Sequence, residues 1–180
     1  MNPAYETGET FSPPSQAEIV GWLTYATHAA FQTMLGMKAT VAEQFVEEPG
    51  EGLPVGVIGI IGLVGQWRGT AAISCSSTLA CKIASTLFLT EFSTVNDLVL
   101  DAVAEMTNII VGNVKNSLEN RFGPMGLSIP AVIFGRNFAT RRNGKENWYV
   151  IQFHVEGEPF DVQLCLCRSQ IGRDSSYGIP

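Results

Sequence analysis

Two polar side chains, Glu105 and Asn108, stand three positions apart in the mostly apolar stretch DAVAEMTNIIVGN (residues 101–113). On a helix, side chains at this spacing are neighbours. A carboxamide can accept a hydrogen bond from a water molecule and donate another to a phosphoryl oxygen, while a carboxylate can act as a base or pair with a cation. Together they suit the placement of a water molecule for in-line attack on phosphorus, where catalysis depends mostly on position and charge.

The polar residues around Glu105 fall on one side of the predicted helix. At about 100° per residue, with Glu105 at zero, they occupy an arc roughly 100° wide, here named the polar stripe. Besides Glu105 and Asn108, the polar stripe contains Asp97, Asp101, Gly112, Asn116 and Glu119. The apolar residues Val99, Val103, Met106, Ile110 and Val114 fall on another side, which is predicted to face the core.

The polar stripe has two interpretations, a solvated face and a binding face. Gly112 in a helix interior costs roughly 1 kcal/mol relative to alanine, and a solvated face gives no reason to accept that cost. Close approach of another backbone would give such a reason. The stripe also has no Lys or Arg partner at i+4 before Lys115, whereas salt-bridged surface helices mix charges. These residues alone leave both interpretations open.

Other catalytic or metal-binding patterns are weaker. Neither His28 nor His154 lies near a Ser or Cys in the frame of a nucleophilic triad. Asp101 and Glu105, at i and i+4, could contact a metal, but two carboxylates without His are a thin ligand set. Residues 55–65 carry a glycine at every third position without the Lys-Ser/Thr of a P-loop or a G-x-G-x-x-G motif. They predict a strand whose glycines allow close packing or a bulge.

The four cysteines, Cys75, Cys81, Cys165 and Cys167, are predicted to be buried free thiols. The chain does not open on a charged segment followed by an apolar one, so no signal peptide and a cytoplasmic location are expected. Disulfides are improbable in that compartment. A zinc site would require Cys-x-x-Cys pairs or nearby His, whereas Cys165 and Cys167 alternate on one face of a predicted strand.

The charge of the chain argues against nucleic-acid binding, and its hydrophobic pattern argues against membrane insertion. The chain has 180 residues and a formal net charge of -6, and nucleic-acid binding requires clustered basic residues instead. Its one basic cluster, Arg136, Arg141, Arg142 and Lys145, lies in a Gly/Asn-rich stretch and is predicted to be a solvated loop, with contact to an acidic partner as the alternative. The apolar run 19–37 contains His28, Gln32 and several Thr, so it predicts a buried amphipathic helix and no membrane insertion.

The elements that must position the polar stripe follow from hydrophobic periodicity. Helices are predicted at 16–35, 77–89 and 97–121, with Ser15 capping the first and Ser93 or Thr94 capping the last. Strands are predicted at 40–48, 55–65, 67–76, 129–135, 148–156 and 159–168. This order predicts an α/β fold with a mostly antiparallel sheet packed by helices, one of them long. One domain at 15–168 is expected, with flexible tails at 1–14 and 169–180.

At this point the sequence resembles the CheC/CheX/FliY family of chemotaxis phosphatases. DAVAEMTNIIVGNVK (101–115) is similar to the family's helix signature, with Glu-x-x-Asn at its centre. GIIGLVGQWRGTAAIS (59–74) and LSIPAVIFGRNF (127–138) are similar to the strand pair before that helix and the strand after it. The single Glu-x-x-Asn and the chain length favour the CheX branch over the pseudo-duplicated CheC. The resemblance spans about residues 16–168.

The resemblance implies a single CheC-like domain that hydrolyses the aspartyl phosphate of a CheY-like response regulator. Asn108 would orient the attacking water, and Glu105 would contact the regulator's active-site Lys. Asp101, Gly112 and Asn116 would lie against the regulator. The chain would need no cofactor of its own, because Mg²⁺ would be supplied by the regulator. A homodimer joined at sheet edges is also implied.

A non-catalytic alternative remains open. The same polar stripe could belong to an interaction module or scaffold that binds a response regulator or a flagellar switch component. Retention of Asn108 favours the phosphatase, since a scaffold would not need the amide.

Overall fold

A computed structural model describes residues 12–47, 56–135 and 147–169 of the chain. In these ranges the elements follow in the order α1 (Gln16–Ala30), a π-helical turn (Phe31–Leu35), β1 (Ala39–Glu47), β2 (Gly56–Gly65), β3 (Trp67–Cys75), α2 (Ser77–Phe88), α3 (Asp97–Phe122), β4 (Met125–Leu127), β5 (Ala131–Gly135), β6 (Trp148–Val155) and β7 (Glu158–Arg168). The predicted α/β class with one long helix is confirmed. Most of the predicted tails, and the basic cluster at 136–145, lie outside the described residues.

The strands form one antiparallel sheet in the order β1-β6-β7-β3-β2-β4, with β5 also pairing with β2. The β6–β7 connection is a two-residue hairpin, because Val155 pairs with Glu158 and both Glu156 and Gly157 have positive φ. The β4–β5 segment and β1 therefore form the two edges of the sheet in the described part of the chain.

Helices α1 and α3 pack on the same face of this sheet. Phe31, just after α1, contacts the ring of Phe160 edge-on at 4.8 Å between ring centroids. Phe160 lies opposite Cys75 across β7 and β3, and Cys75 lies opposite Val57 across β3 and β2. Directly opposed residues share a face, and so do residues two apart on one strand. The next residue of that face on β2 is Gly59, which lies under α3.

The glycines of β2 confirm the prediction of close packing. A Cβ built on Gly59 would lie 2.1 Å from Thr107 Oγ1, and one on Gly56 would lie 1.9 Å from the carbonyl oxygen of Cys75. Real Cβ contacts are never this short, so only glycine fits at both positions. Gly62 has ordinary room, with Ser128 Oγ at 3.5 Å from such a Cβ. The glycine repeat is therefore a packing feature of this strand.

Three local details differ from the prediction. The side chain of Asn96, and not Ser93 or Thr94, caps α3 by accepting a hydrogen bond from the Val99 amide at 3.1 Å. The last turn of the first helix is π-helical before Gly36 ends it in the left-handed region. The short strand β4 was not predicted. The predicted cap of α1 is confirmed, because Ser15 and Glu18 form a reciprocal capping box.

A charged contact joins the start of α1 to the end of α3. Arg121 pairs with Glu18 and also donates to Ser12 Oγ at 3.2 Å. Hydrogen bonds from the backbone and side chain of Ser15 hold the pKa of Glu18 below its ordinary value, and Arg121 adds to this effect. The start of α1 and the end of α3 are therefore tied together.

The cysteines are free thiols, as predicted, although Cys167 is only half-buried. Burial raises the pKa of the Cys75 thiol to about 12, which leaves it unreactive at neutral pH. The described residues contain no group of three or more His, Cys, Asp or Glu side chains that could hold a metal ion. Within the same ranges, no helix combines the length and apolarity that a membrane crossing requires.

Candidate functional site

Helix α3 presents its apolar side to the sheet and its polar stripe to solvent. The predicted core face is confirmed, because all five predicted residues are buried, together with Ala102, Thr107, Val111, Leu118 and Phe122. The helix is amphipathic over its whole length, so packing against the sheet fixes which side faces outward. The orientation of the polar stripe therefore follows from the core.

The residues proposed to do chemistry are brought together on that outer side. Glu105 and Asn108 are both exposed, one turn apart, with exposed Asp101 one turn before them. In the described part of the chain, no group forms a hydrogen bond or ion pair with the side chain of Glu105 or Asn108. Their donors and acceptors are therefore free to bind water or a partner.

Gly112 is partly exposed on the same side, one turn after Asn108. A Cβ built on this glycine would meet no atom of the described chain within 4 Å. Packing among the described residues therefore does not explain this glycine, in contrast to Gly56 and Gly59. The open space beside Asn108 is accessible to another molecule.

Behind Asn108, α3 is anchored to β2. Thr107 is fully buried, and its Oγ1 donates to the carbonyl oxygen of Val103 at 2.7 Å. The same side chain fills the space above Gly59. A buried contact this close sets the distance between helix and strand. The backbone that carries Asn108 is therefore held on a rigid support.

The two ends of the polar stripe behave differently. Asn116 is exposed, whereas Glu119 is half-buried and bonded within the fold. Glu119 pairs with Lys115 at 2.8 Å and accepts from the Met125 amide at 2.8 Å. The hydrogen bond from Lys115 is the largest of the effects that lower the pKa of Glu119. Glu119 therefore joins α3 to β4 and is not part of an open surface.

Sequence analysis missed an apolar member of the stripe. Leu98 lies at about 20° on the same projection, between Glu105 and the core face. It is 50% exposed, one turn before Asp101. The helical projection places Leu98 outside the predicted core face, so its exposure could have been expected from the sequence.

Two cavities are open on the described part of the surface, and the proposed site residues lie outside both. An open cavity of about 530 Å³ lies beside α2 and the α2–α3 connection, and another of about 400 Å³ lies beside α1. Neither Glu105 nor Asn108 lines either cavity. Small-molecule sites are concave and enclose most of their ligand. An exposed helix side with unpaired polar groups suits a macromolecular partner better.

Sequence comparisons give a matching family and a related protein. Residues 57–154 match the model of a family described as chemotaxis phosphatase CheX. A protein of Thermotoga maritima named CheY-P phosphatase CheX is 25% identical over 151 residues, which cover 83% of this chain and 96% of that protein.

Solved structures share the fold. The chemotaxis protein CheX from Vibrio vulnificus superposes with a TM-score of 0.74 at 23% identity, covering 83% of this chain and 99% of that one. The CheX–CheY–BeF3–Mg²⁺ complex from Borrelia burgdorferi gives a TM-score of 0.66 at 24% identity, covering 84% of this chain and 98% of that one.

Proposed function

This chain belongs to the chemotaxis phosphatase CheX family, and we propose that it hydrolyses the aspartyl phosphate of a CheY-like response regulator. The observation that carries the proposal is the pair Glu105 and Asn108, exposed side by side on a rigidly anchored helix. The Thermotoga relative named CheY-P phosphatase supports it. So does the Borrelia complex, in which a protein of the same fold is bound to CheY.

Asn108 would hold the attacking water. Its carboxamide oxygen can accept a hydrogen bond from the water while its NH₂ group donates to a phosphoryl oxygen. The water oxygen attacks phosphorus in line, and the bond from phosphorus to the aspartyl oxygen breaks. The regulator's Asp leaves as a carboxylate, and the proton of the water passes to phosphate or solvent. An acyl phosphate is already reactive, so positioning alone can accelerate this step, and no covalent intermediate on this chain is needed.

Glu105 would bind the regulator through the Lys of its active site. A carboxylate one turn from Asn108 can accept a hydrogen bond from an ammonium group, and this contact would fix the register of the two proteins. We propose that Mg²⁺ is held by the regulator. On this chain Asp101 and Glu105 would supply only two exposed carboxylates, a poor ligand set for a resident ion.

The direct test is release of inorganic phosphate from a phosphorylated CheY-like receiver domain. Asn108→Ala is expected to lower the maximal rate by about 100-fold or more, the cost of losing one positioned hydrogen-bonding group in a catalytic site. It should still bind the receiver domain loaded with beryllofluoride and Mg²⁺. Asn120→Ala is the matched control, because Asn120 is exposed on the same helix more than three turns further on.

Equal rates of phosphate release for wild type and Asn108→Ala would refute the catalytic role of Asn108. Binding without any acceleration by the wild type would instead support the scaffold interpretation. The Asn120→Ala control separates loss of the water-positioning amide from general disturbance of α3.

A further inference from the structure

Two exposed leucines lie close to the start of α3 in sequence, one inside its first turn and one at the end of the preceding helix. Leu98 is 50% exposed and Leu89, the residue that ends α2, is 91% exposed. Seven residues separate Leu98 from Glu105, about 10 Å along the helix axis. That distance is well within the footprint of a protein partner seated on Glu105 and Asn108.

Leu89 carries two unfavourable features at once. Its backbone is left-handed, with φ 52° and ψ 37°. Helices that end in this conformation normally use glycine or asparagine, because a Cβ is strained there. Its side chain also leaves an apolar surface in water. Neither the helix end nor the described core benefits from leucine at this position, so a contact outside the fold is the physical reason to keep it.

The surroundings of Leu98 indicate the chemistry of that contact. Asp97, Asp101 and Glu105 are exposed on α3 around it or one to two turns away. The partner's matching surface should therefore be apolar with basic groups at its border. A phosphorylated receiver domain that offers a Lys to Glu105 fits this description and lies next to Leu98 in the proposed complex.

From these observations, and resting on the proposed function, we propose that Leu98 and Leu89 form the apolar docking contact for the receiver domain beside its phosphorylated aspartate. They are positioning and specificity residues, since neither carries a group that could touch the reacting atoms. They should affect the affinity for the receiver domain and leave the chemical step unchanged.

The test uses Leu98→Gln and Leu89→Asn, measured with the full chain. The probes are receiver domains from the same organism, loaded with beryllofluoride and Mg²⁺ for binding and phosphorylated for turnover. Each variant is expected to raise KM and Kd by about 10-fold while kcat at saturation stays within about 2-fold of wild type. Asparagine fits the left-handed region, so Leu89→Asn should not lower the melting temperature. Ile129→Asn is the control, because Ile129 is 89% exposed between β4 and β5, far along the chain from both leucines.

The outcomes separate the two proposals. Unchanged KM and Kd in Leu98→Gln and Leu89→Asn, with Asn108→Ala inactive, overturn the docking contact and leave the phosphatase intact. A wild type that binds a receiver domain without accelerating hydrolysis overturns the phosphatase, and the Kd values still decide the docking contact. Equal weakening by Ile129→Asn, or a lowered melting temperature of Leu89→Asn, also counts against it. If no receiver domain binds, both proposals fail.

Discussion

Gly112 affects both the stability of α3 and the space that a partner has beside Asn108. Alanine there would favour the helix, and no described atom stands within 4 Å of its Cβ. The glycine therefore makes the helix less stable than it could be at a site one turn from Asn108. The proposed function explains this, since a regulator backbone beside Asn108 would need that space.

Gly112→Ala is accordingly expected to stabilise the protein and impair its activity. The free energy of unfolding should rise by about 0.5–1 kcal/mol, or roughly 1–4 °C in melting temperature for a chain of this size. KM for the phosphorylated receiver domain should rise several-fold. Thermal unfolding and phosphate release measure the two effects.

Gly21→Ala is the matched control for this prediction. Gly21 is also inside a helix, and a Cβ there likewise meets no described atom within 4 Å. It should give the same stabilisation with unchanged KM. Full activity in Gly112→Ala would show that no partner backbone approaches this position.

Polarity alone made Glu105 and Asn108 candidates for the site and left a solvated face equally open. The resemblance to the family's helix signature supplied their proposed roles. Leu98 was missed because an exposed leucine looks like a core residue until burial is measured. The helical projection places Leu98 outside the core face, but how much of its side chain the sheet covers is known only from the structure.

At the scale of elements, the Gly59–Thr107 contact determines where the site stands above the sheet. Gly59→Ala would place a methyl group 2.1 Å from Thr107 Oγ1, so α3 must shift or the side chain must turn. Overpacking of this kind costs about 1–3 kcal/mol. Because Thr107 adjoins Asn108, the shift should also reduce the rate of phosphate release. Denaturant unfolding and phosphate release check both expectations.

Adding Thr107→Ala should rescue the stability lost in Gly59→Ala. It removes the hydroxyl and methyl groups but leaves a Cβ 3.1 Å from the new one, so the double variant should recover most of the lost stability. Gly62→Ala is the control, because its Cβ would make only an ordinary contact with Ser128 Oγ at 3.5 Å. Additive losses in the double variant would mean that the two residues do not share this contact.

Sequence predicted most elements because their patterns are local. The long helix and the strands have strong periodicity, and Ser15 with Glu18 is a complete capping box. The cap of α3 was misplaced because Ser93, Thr94 and Asn96 are all acceptable caps, and the helix begins at Asp97, directly after Asn96. The strand β4 has only three residues, too few for a period, and is defined by its pairing with β2.

On the scale of the whole molecule, the order of the strands in the sheet could not be predicted from the sequence. β1 pairs with β6 across more than 100 residues, and β7 comes between β6 and β3. Periodicity tells which side of a strand is buried and not which strand lies beside it. The edges of the sheet, and hence the surfaces available for assembly, could be located only in the structure.

The two edges differ in how well they resist pairing with another sheet. β1 carries an irregularity between Val41 and Glu43 and several exposed polar side chains, features that discourage edge-to-edge contact. β5 pairs regularly with β2, and its Ile133 and Phe134 are half-exposed. Of the two edges in the described residues, β5 is therefore the better surface for a homodimer.

We expect the protein to be a homodimer joined along β5. Light scattering after size exclusion should give twice the 19.5 kDa mass of the chain. Phe134→Lys should shift the equilibrium toward the monomer, because dimer formation would bury a lysine charge in place of the half-exposed aromatic ring. The Val41→Lys variant, changed at an equally exposed position on β1, should remain a dimer.

A monomeric wild type would refute the dimer, and dissociation by Val41→Lys alone would assign the dimer contact to the β1 edge. Because α3 packs against β5 as well as β2, phosphate release by the monomeric Phe134→Lys variant would then show whether the site depends on assembly.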